Sequence, residues 1–295
     1  MAGDLHSHTN FSDGSADIER LPVWAKRAGL THLAISDHDS LHSIRWAKAH
    51  PVVDGVTLLP AAELSCCDPA NGRRVHILCY CPEETPELAA FCAGIAQRRN
   101  ETTHRSMAEL EAMFPLFSRE GALAWSARSG VTFKVHLMRE LCDCGYDGAV
   151  YGALYRKLFG IPDGIVLHEP AYEDVYTALR MVRGACGVAV LAHPSVYGSM
   201  ALAQTLAEQG LIDGVEIEHP RNTPEDKETL RALARQYDLI MTGGTDFHSM
   251  HSGHPLPLGT CTTDDANIAR ILALAAQRRA QGPEKPGTTL HQPPV

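Results

Sequence analysis

Asp4-Leu5-His6-Ser7-His8-Thr9-Asn10-Phe11-Ser12-Asp13-Gly14 opens the chain with two histidines two residues apart and an acid in the turn that follows. On an extended strand alternate side chains leave the same face, so His6 and His8 are placed to grip one ion together. The same spacing returns at Asp246-Phe247-His248, after the apolar run at 239–245. Between these ends, short apolar stretches each deliver a histidine or an acid. Residues 31–36 lead to Asp37-His38-Asp39, 56–61 to Glu63 and 187–192 to His193, while 74–80 carries His76. The sequence predicts that His38, Glu63, His76 and His193 each close a strand.

Helical segments separate the stretches, at 18–29 closed by Gly29 and at 40–50 stopped by Pro51. Strands alternating with helices imply a largely parallel sheet or barrel. In α/β barrels functional groups gather at the C-terminal strand ends. Nine residues therefore form one candidate metal constellation: His6, His8, Asp13, His38, Glu63, His76, His193, Asp246 and His248. Imidazole and carboxylate together suit Zn, Mn or Fe, and a carboxylate is able to bridge two ions. Adjacent divalent ions lower the pKa of water and clamp phosphoryl oxygens along an in-line path, so the implied chemistry is hydrolysis. Taken singly, each histidine is more often an ordinary surface or core residue; the joint pattern carries the expectation. Of the remaining histidines, His219 and His254 follow late strands and are candidates for the pocket wall.

From about Glu84 to Gly187 the alternation stops. Residues 88–114 read as helix, and Arg98, Arg99, Arg105, Arg128, Lys134, Arg139, Arg156 and Lys157 make the region locally basic. The expected organisation is a barrel built from 1–98 and 172–281, a helical capping insertion at 99–171, and a disordered tail at 282–295 rich in Pro, Gly and Gln.

A hydrophobic fraction of 44% with 21% charged residues is an ordinary globular balance. No apolar run is long enough to span a membrane, and no basic segment with an apolar core opens the chain, so a cytoplasmic location is expected. The nine cysteines include no C-x-x-C pair and are expected to be reduced thiols. A net charge of −9 argues against a nucleic-acid coat. It does not exclude an anionic substrate, because bound cations supply local positive charge.

The motifs Asp4-Leu5-His6-Ser7-His8-Thr9, Ser12-Asp13-Gly14, Ile35-Ser36-Asp37-His38-Asp39-Ser40, Leu191-Ala192-His193-Pro194 and Gly243-Gly244-Thr245-Asp246-Phe247-His248 resemble the PHP (polymerase and histidinol phosphatase) family. The resemblance implies a distorted (β/α)7 barrel, α/β in class, holding two or three divalent metals, with Mn expected first and Zn or Fe as alternatives. It implies that His6, His8, Glu63 and Asp246 hold one metal, that Glu63 bridges to a second held by His76 and His193, and that Asp13, His38 and His248 hold a third. Asp13 stands where some members use His. Asp246 is also the candidate proton relay.

Thr132-Phe133-Lys134-Val135-His136-Leu137, Phe159-Gly160-Ile161-Pro162 and Pro170-Ala171-Tyr172 are most similar to the branch with a helical insertion, although Lys134 and Val135 replace its usual Arg and Pro. That branch implies a small anionic nucleotide partner. Expected first is removal of the 3′-phosphate from 3′,5′-bisphosphonucleosides, with 5′-to-3′ trimming of short RNA and histidinol-phosphate hydrolysis as alternatives. Arg99, Arg105, Arg128, Lys134 and His136 are the candidates to hold a second phosphate, Lys134 and His136 foremost.

Overall fold

The computed structural model describes residues 2–282. The chain begins with β1 (Ala2–Asp4), a 3-10 turn (Ile18–Arg20), α1 (Leu21–Arg27), β2 (His32–Ile35), α2 (His42–Ala49), β3 (Val52–Val53), β4 (Val56–Cys67) and β5 (Arg74–Tyr80). Helices then follow one another: α3 (Pro86–Met113), α4 (Arg119–Trp125), α5 (Lys134–Asp143), α6 (Ala153–Phe159) and α7 (Val175–Gly184). Alternation resumes with β6 (Val188–Leu191), α8 (Pro194–Tyr197), α9 (Met200–Glu208), β7 (Gly214–Glu218), α10 (Pro224–Gln236), β8 (Ile240–Gly243), β9 (Thr263–Asp264) and α11 (Asp265–Gln281). Local chemistry starts several helices: Pro86 and Pro224 sit in first turns, behind Thr85 and Thr223 whose hydroxyls accept from Leu88 N and Asp226 N.

The strands form one sheet in the order β8-β7-β6-β5-β4-β2-β1-β9, with β3 beside β4. It curls until its ends meet, giving the distorted barrel the sequence implied. Beyond β1, Leu5 N donates to Gly243 O (3.3 Å), and His8 N donates to Phe247 O (2.8 Å). At that seam a side chain on Gly244 would collide with the His6 backbone, so only glycine fits. Leu5, Leu59, Ala61, Leu78, Tyr80, Val188 and Val190 fill the barrel interior, while two further apolar clusters join the sheet to the helices outside.

The distortion lies at β5. It runs antiparallel to both β4 and β6, whereas β1, β2 and β4 are parallel to one another, as are β6, β7 and β8. This corrects two expectations. Glu63 lies inside the twelve-residue β4 rather than at its end, and His76 lies near the start of β5. Because β5 is reversed, its beginning stands at the same mouth as the other strands' ends. The even-numbered residues Arg74, His76, Leu78 and Tyr80 share one face of it.

The expected boundary at 98/99 falls within the continuous helix α3. The second half of α3 and helices α4 to α6 share their own apolar cluster around Met107, Leu110, Phe117, Met138 and Phe159. The tail expected beyond Gly282 lies outside the described residues. All nine cysteines are free thiols, and no helix among the described residues is long and apolar enough to cross a membrane.

Candidate metal centre

The nine residues singled out by sequence converge at the barrel mouth. His6 Nε2 lies 3.1 Å from His8 Nε2, 3.2 Å from Glu63 Oε2 and 3.4 Å from Asp246 Oδ1. His8 Nε2 is 3.2 Å from both of those oxygens. These separations match the edges of a tetrahedron whose centre is about 2.0 Å from each donor, the bond length of zinc-like ions to nitrogen and oxygen. Glu63 turns its other oxygen, Oε1, to His76 Nδ1 and His193 Nε2, each at 2.8 Å. One carboxylate thus faces two donor groups. Asp13 gathers a third, with Oδ1 3.2 Å from His248 Nε2 and Oδ2 3.8 Å from His38 Nε2. His38 also turns Nδ1 to Glu63 Oε2 at 3.2 Å, so it stands between groups.

The electrostatics fit a cation. Burial penalises a charged imidazole, yet His8 is pushed up to about 10 because hydrogen bonds with Asp246 and Glu63 outweigh it. Burial likewise opposes ionisation of Asp13, Glu63 and Asp246, but the neighbouring imidazoles hold all three well below the usual carboxylate range. Buried carboxylates require positive charge among them, which imidazolium protons or divalent ions supply equally. Asp246 (φ 53°) and His193 (φ 28°) have left-handed backbone, a strain that non-glycine residues accept where the surrounding structure enforces it.

Aspartates that are not candidate ligands hold these loops. Asp4 accepts from His6 N, Thr245 N, Thr245 Oγ1 and Gly259 N, tying both ligand-bearing ends together; burial raises it to about 6 despite these bonds. Asp37 accepts from Thr9 N, Thr9 Oγ1 and Ser12 Oγ, each at 2.7 Å, and so fixes the turn that presents Asp13.

The centre forms one wall of a cavity of about 920 Å³. Cationic side chains line the same cavity. Arg99 donates to Asp39 Oδ2 (2.7 Å) and lies over the Phe133 ring, and Arg74 and Lys134 share the carboxylate of Glu169. The sequence-based set of phosphate holders divides here. Arg99 and Lys134 line the cavity, whereas Arg105, Arg128 and His136 are not among its lining residues. Arg105 is solvent-exposed. Arg128 reaches outward to Asp17 and Glu19. His136 is buried, its Nδ1 accepting from Phe133 N, because it caps α5. Two expectations about the wall come out as stated, since His219 and His254 both line it.

Arg74 and Glu216 did not stand out in the sequence. Arg74 is two residues before His76 on one strand, a same-face spacing that is visible once 74–80 is taken as β5. Glu216 is fully buried in β7; its Oε1 accepts from His6 Nδ1 and its Oε2 from His193 N, both at 2.9 Å. An acid flanked by Val215 and Ile217 inside a short strand is the signal that marks it.

The PHP domain model matches residues 4–93. A phosphoribosyl 1,2-cyclic phosphate 1,2-diphosphodiesterase of Eggerthella lenta is 36% identical over 84% of this chain and 94% of its own length. The chain belongs to the PHP family. A 3′,5′-nucleoside bisphosphate phosphatase of Chromobacterium violaceum is 28% identical, over 85% of this chain and 88% of that protein. Among solved structures, one from Bifidobacterium adolescentis described as a metal-dependent phosphoesterase superposes with a TM-score of 0.82 at 26% identity, covering 92% of this chain and 96% of that one. This PHP protein is accordingly a metal-dependent phosphoesterase.

Proposed function

We propose that the chain hydrolyses one phosphate ester of a ribose that carries a second, separate phosphate. The first candidate is the 3′-phosphate of 3′,5′-bisphosphonucleosides such as adenosine 3′,5′-bisphosphate, leaving the 5′-monophosphate. The observation that carries this reading is one cavity lined both by residues of the nine-donor centre and by the cationic side chains of Arg74, Arg99 and Lys134.

His6, His8, Glu63 and Asp246 would hold one ion, Glu63, His76 and His193 a second, and Asp13, His38 and His248 a third; Mn is the expected metal. When bound, such ions supply Lewis acidity and a nucleophile at neutral pH. The protein's own share is placement. Arg74 and Lys134 release Glu169 to take the remote phosphate, Arg99 braces the Phe133 side of the wall, and exclusion of water strengthens each of these contacts. Asp246 commits Oδ1 to His6 and His8, which leaves Oδ2 to accept a proton.

The 36% identical relative favours a second reading, a phosphoribosyl cyclic phosphate, which also pairs a scissile phosphate with a separate one on a ribose. The test gives Mn-loaded protein adenosine 3′,5′-bisphosphate, phosphoribosyl 1,2-cyclic phosphate, a 5′-phosphorylated oligoribonucleotide and histidinol phosphate. Turnover of either ribose substrate above the other two is expected. Histidinol phosphate or the oligonucleotide as the preferred substrate, or no turnover of any, would overturn the reading. Arg74→Met is expected to raise KM for the preferred substrate about tenfold or more, the loss of one charge-assisted hydrogen bond.

A further inference from the structure

We propose that His219 is a further catalytic residue, a hydrogen-bond donor to a non-bridging oxygen of the phosphoryl group bound at the metal centre. This rests on the phosphoesterase reading but not on which ribose substrate is used.

His219 follows β7 directly, and its ring is fully buried yet lines the cavity. Its rotation is fixed from behind, since Nδ1 accepts the backbone N–H of Arg221 at 3.1 Å. A nitrogen that accepts carries no hydrogen, so the ring proton sits on Nε2. Nε2 is buried and has no hydrogen-bond partner; the closest acidic oxygen is Asp246 Oδ2 at 3.4 Å. The turn is itself held rigid, with Asn222 Nδ2 donating to the carbonyls of Glu216 and Ile217. A buried donor without a partner is costly. Here it points to where a phosphoryl oxygen beside Asp246 would complete it.

His6, Glu216 and His219 also cluster closely enough to suggest a separate metal site. The hydrogen bonds argue against it. His6 Nδ1 and both Glu216 oxygens are engaged with each other and with His193 N, and His219 Nε2 carries a proton. Neither His6 Nδ1 nor His219 Nε2 therefore offers a lone pair to an ion between them, which leaves Glu216 as the trio's one free donor there.

A fixed donor aimed at developing phosphoryl charge contributes because it needs no reorganisation during the reaction; losing one such donor typically costs about 100-fold or more in kcat. The experiment compares wild type, His219→Ala, His219→Gln and His219→Met, all Mn-loaded. The readouts are p-nitrophenyl phosphate turnover, inorganic phosphate affinity by calorimetry, and metal content per chain. Gln keeps an acceptor for Arg221 and a donor for the cavity, whereas Met has similar length without the donor, so this pair decides the matter even if Ala unfolds. Expected are a fall in kcat of about 100-fold in Met and Ala, weaker phosphate binding in both, substantial recovery in Gln, and wild-type metal content throughout. Metal lost in step with activity would make His219 a ligand and overturn the proposal. So would a Met variant with wild-type turnover and phosphate affinity. Neither result depends on adenosine 3′,5′-bisphosphate being a substrate.

Discussion

Glu216→Gln changes one oxygen to an amide group in the barrel interior, and the structure sets what that should cost. Glu216 serves two donors at once, His6 Nδ1–H and His193 N–H, each at 2.9 Å. A glutamine has only one oxygen to offer. If it stays with His193 N, the amide NH2 faces His6 Nδ1 and drives the His6 proton to Nε2, the atom that stands 3.1 to 3.4 Å from His8, Glu63 and Asp246. The ion would then have to displace that proton or go without His6. If the oxygen turns to His6 instead, the buried His193 N–H is orphaned at about 1–3 kcal/mol, where the backbone is already in the left-handed region. Either way, metal affinity should fall about 10–100-fold, as when other outer carboxylates behind metal-bound histidines are lost, or about 1.4–2.7 kcal/mol. The assay is competition of Mn-loaded protein with a chelator of known affinity, with circular dichroism confirming the fold. A folded Glu216→Gln protein with wild-type metal affinity would refute the claim that this carboxylate sets the His6 tautomer.

Asp13→Ala removes the acid that gathers His38 and His248; metal content is expected to drop by one ion per chain with turnover sharply reduced, and unchanged values of both would show that this group holds no ion. His136 tests the packing of the capping helices by pH: burial, and next the proximity of His251, lowers it from 6.5 to about 4. The unfolded chain therefore takes up this proton as pH falls below 6.5 while the folded chain does not. Stability is lost across that window, about 2 kcal/mol by about pH 5. Urea unfolding should show the gap between wild type and His136→Gln shifting in the variant's favour by that amount from neutral to acidic pH, and parallel curves would exclude a neutral buried His136.

The convergence of the candidate metal centre was legible because its chemistry is concentrated in rare residue types at strand-compatible spacing: His6 and His8, then Asp246 and His248. What surrounds it was harder to see. Asp4, Asp37 and Glu216 work through hydrogen bonds to backbone and imidazole groups that lie far away in sequence, such as Thr245, Thr9 and His193. Nothing local marks such partners. Arg105, Arg128 and His136 were misplaced because a basic residue on an insertion can face the cavity, the solvent or the helix core, and helical periodicity alone does not say which. The direction of β5 was equally hidden, since an apolar run reads alike in both senses.

That hidden direction matters for function. A seventh parallel strand would bring its C-terminal end to the mouth and leave Arg74 and His76 toward the closed floor of the barrel. The reversal of β5 brings both to the mouth on one face, about 7 Å apart along the strand. Tyr197 fills the gap, its ring centroid 5.0 Å from that of His76 and 5.7 Å from Arg74 Cζ. The strand backbone therefore fixes the spacing of the Arg74 and His76 backbone positions at the mouth; in the function proposed above, one side chain would meet the remote phosphate and the other a metal ion. On the proposed function, that spacing would favour substrates whose two phosphates are held apart by a rigid sugar over those with a single phosphate.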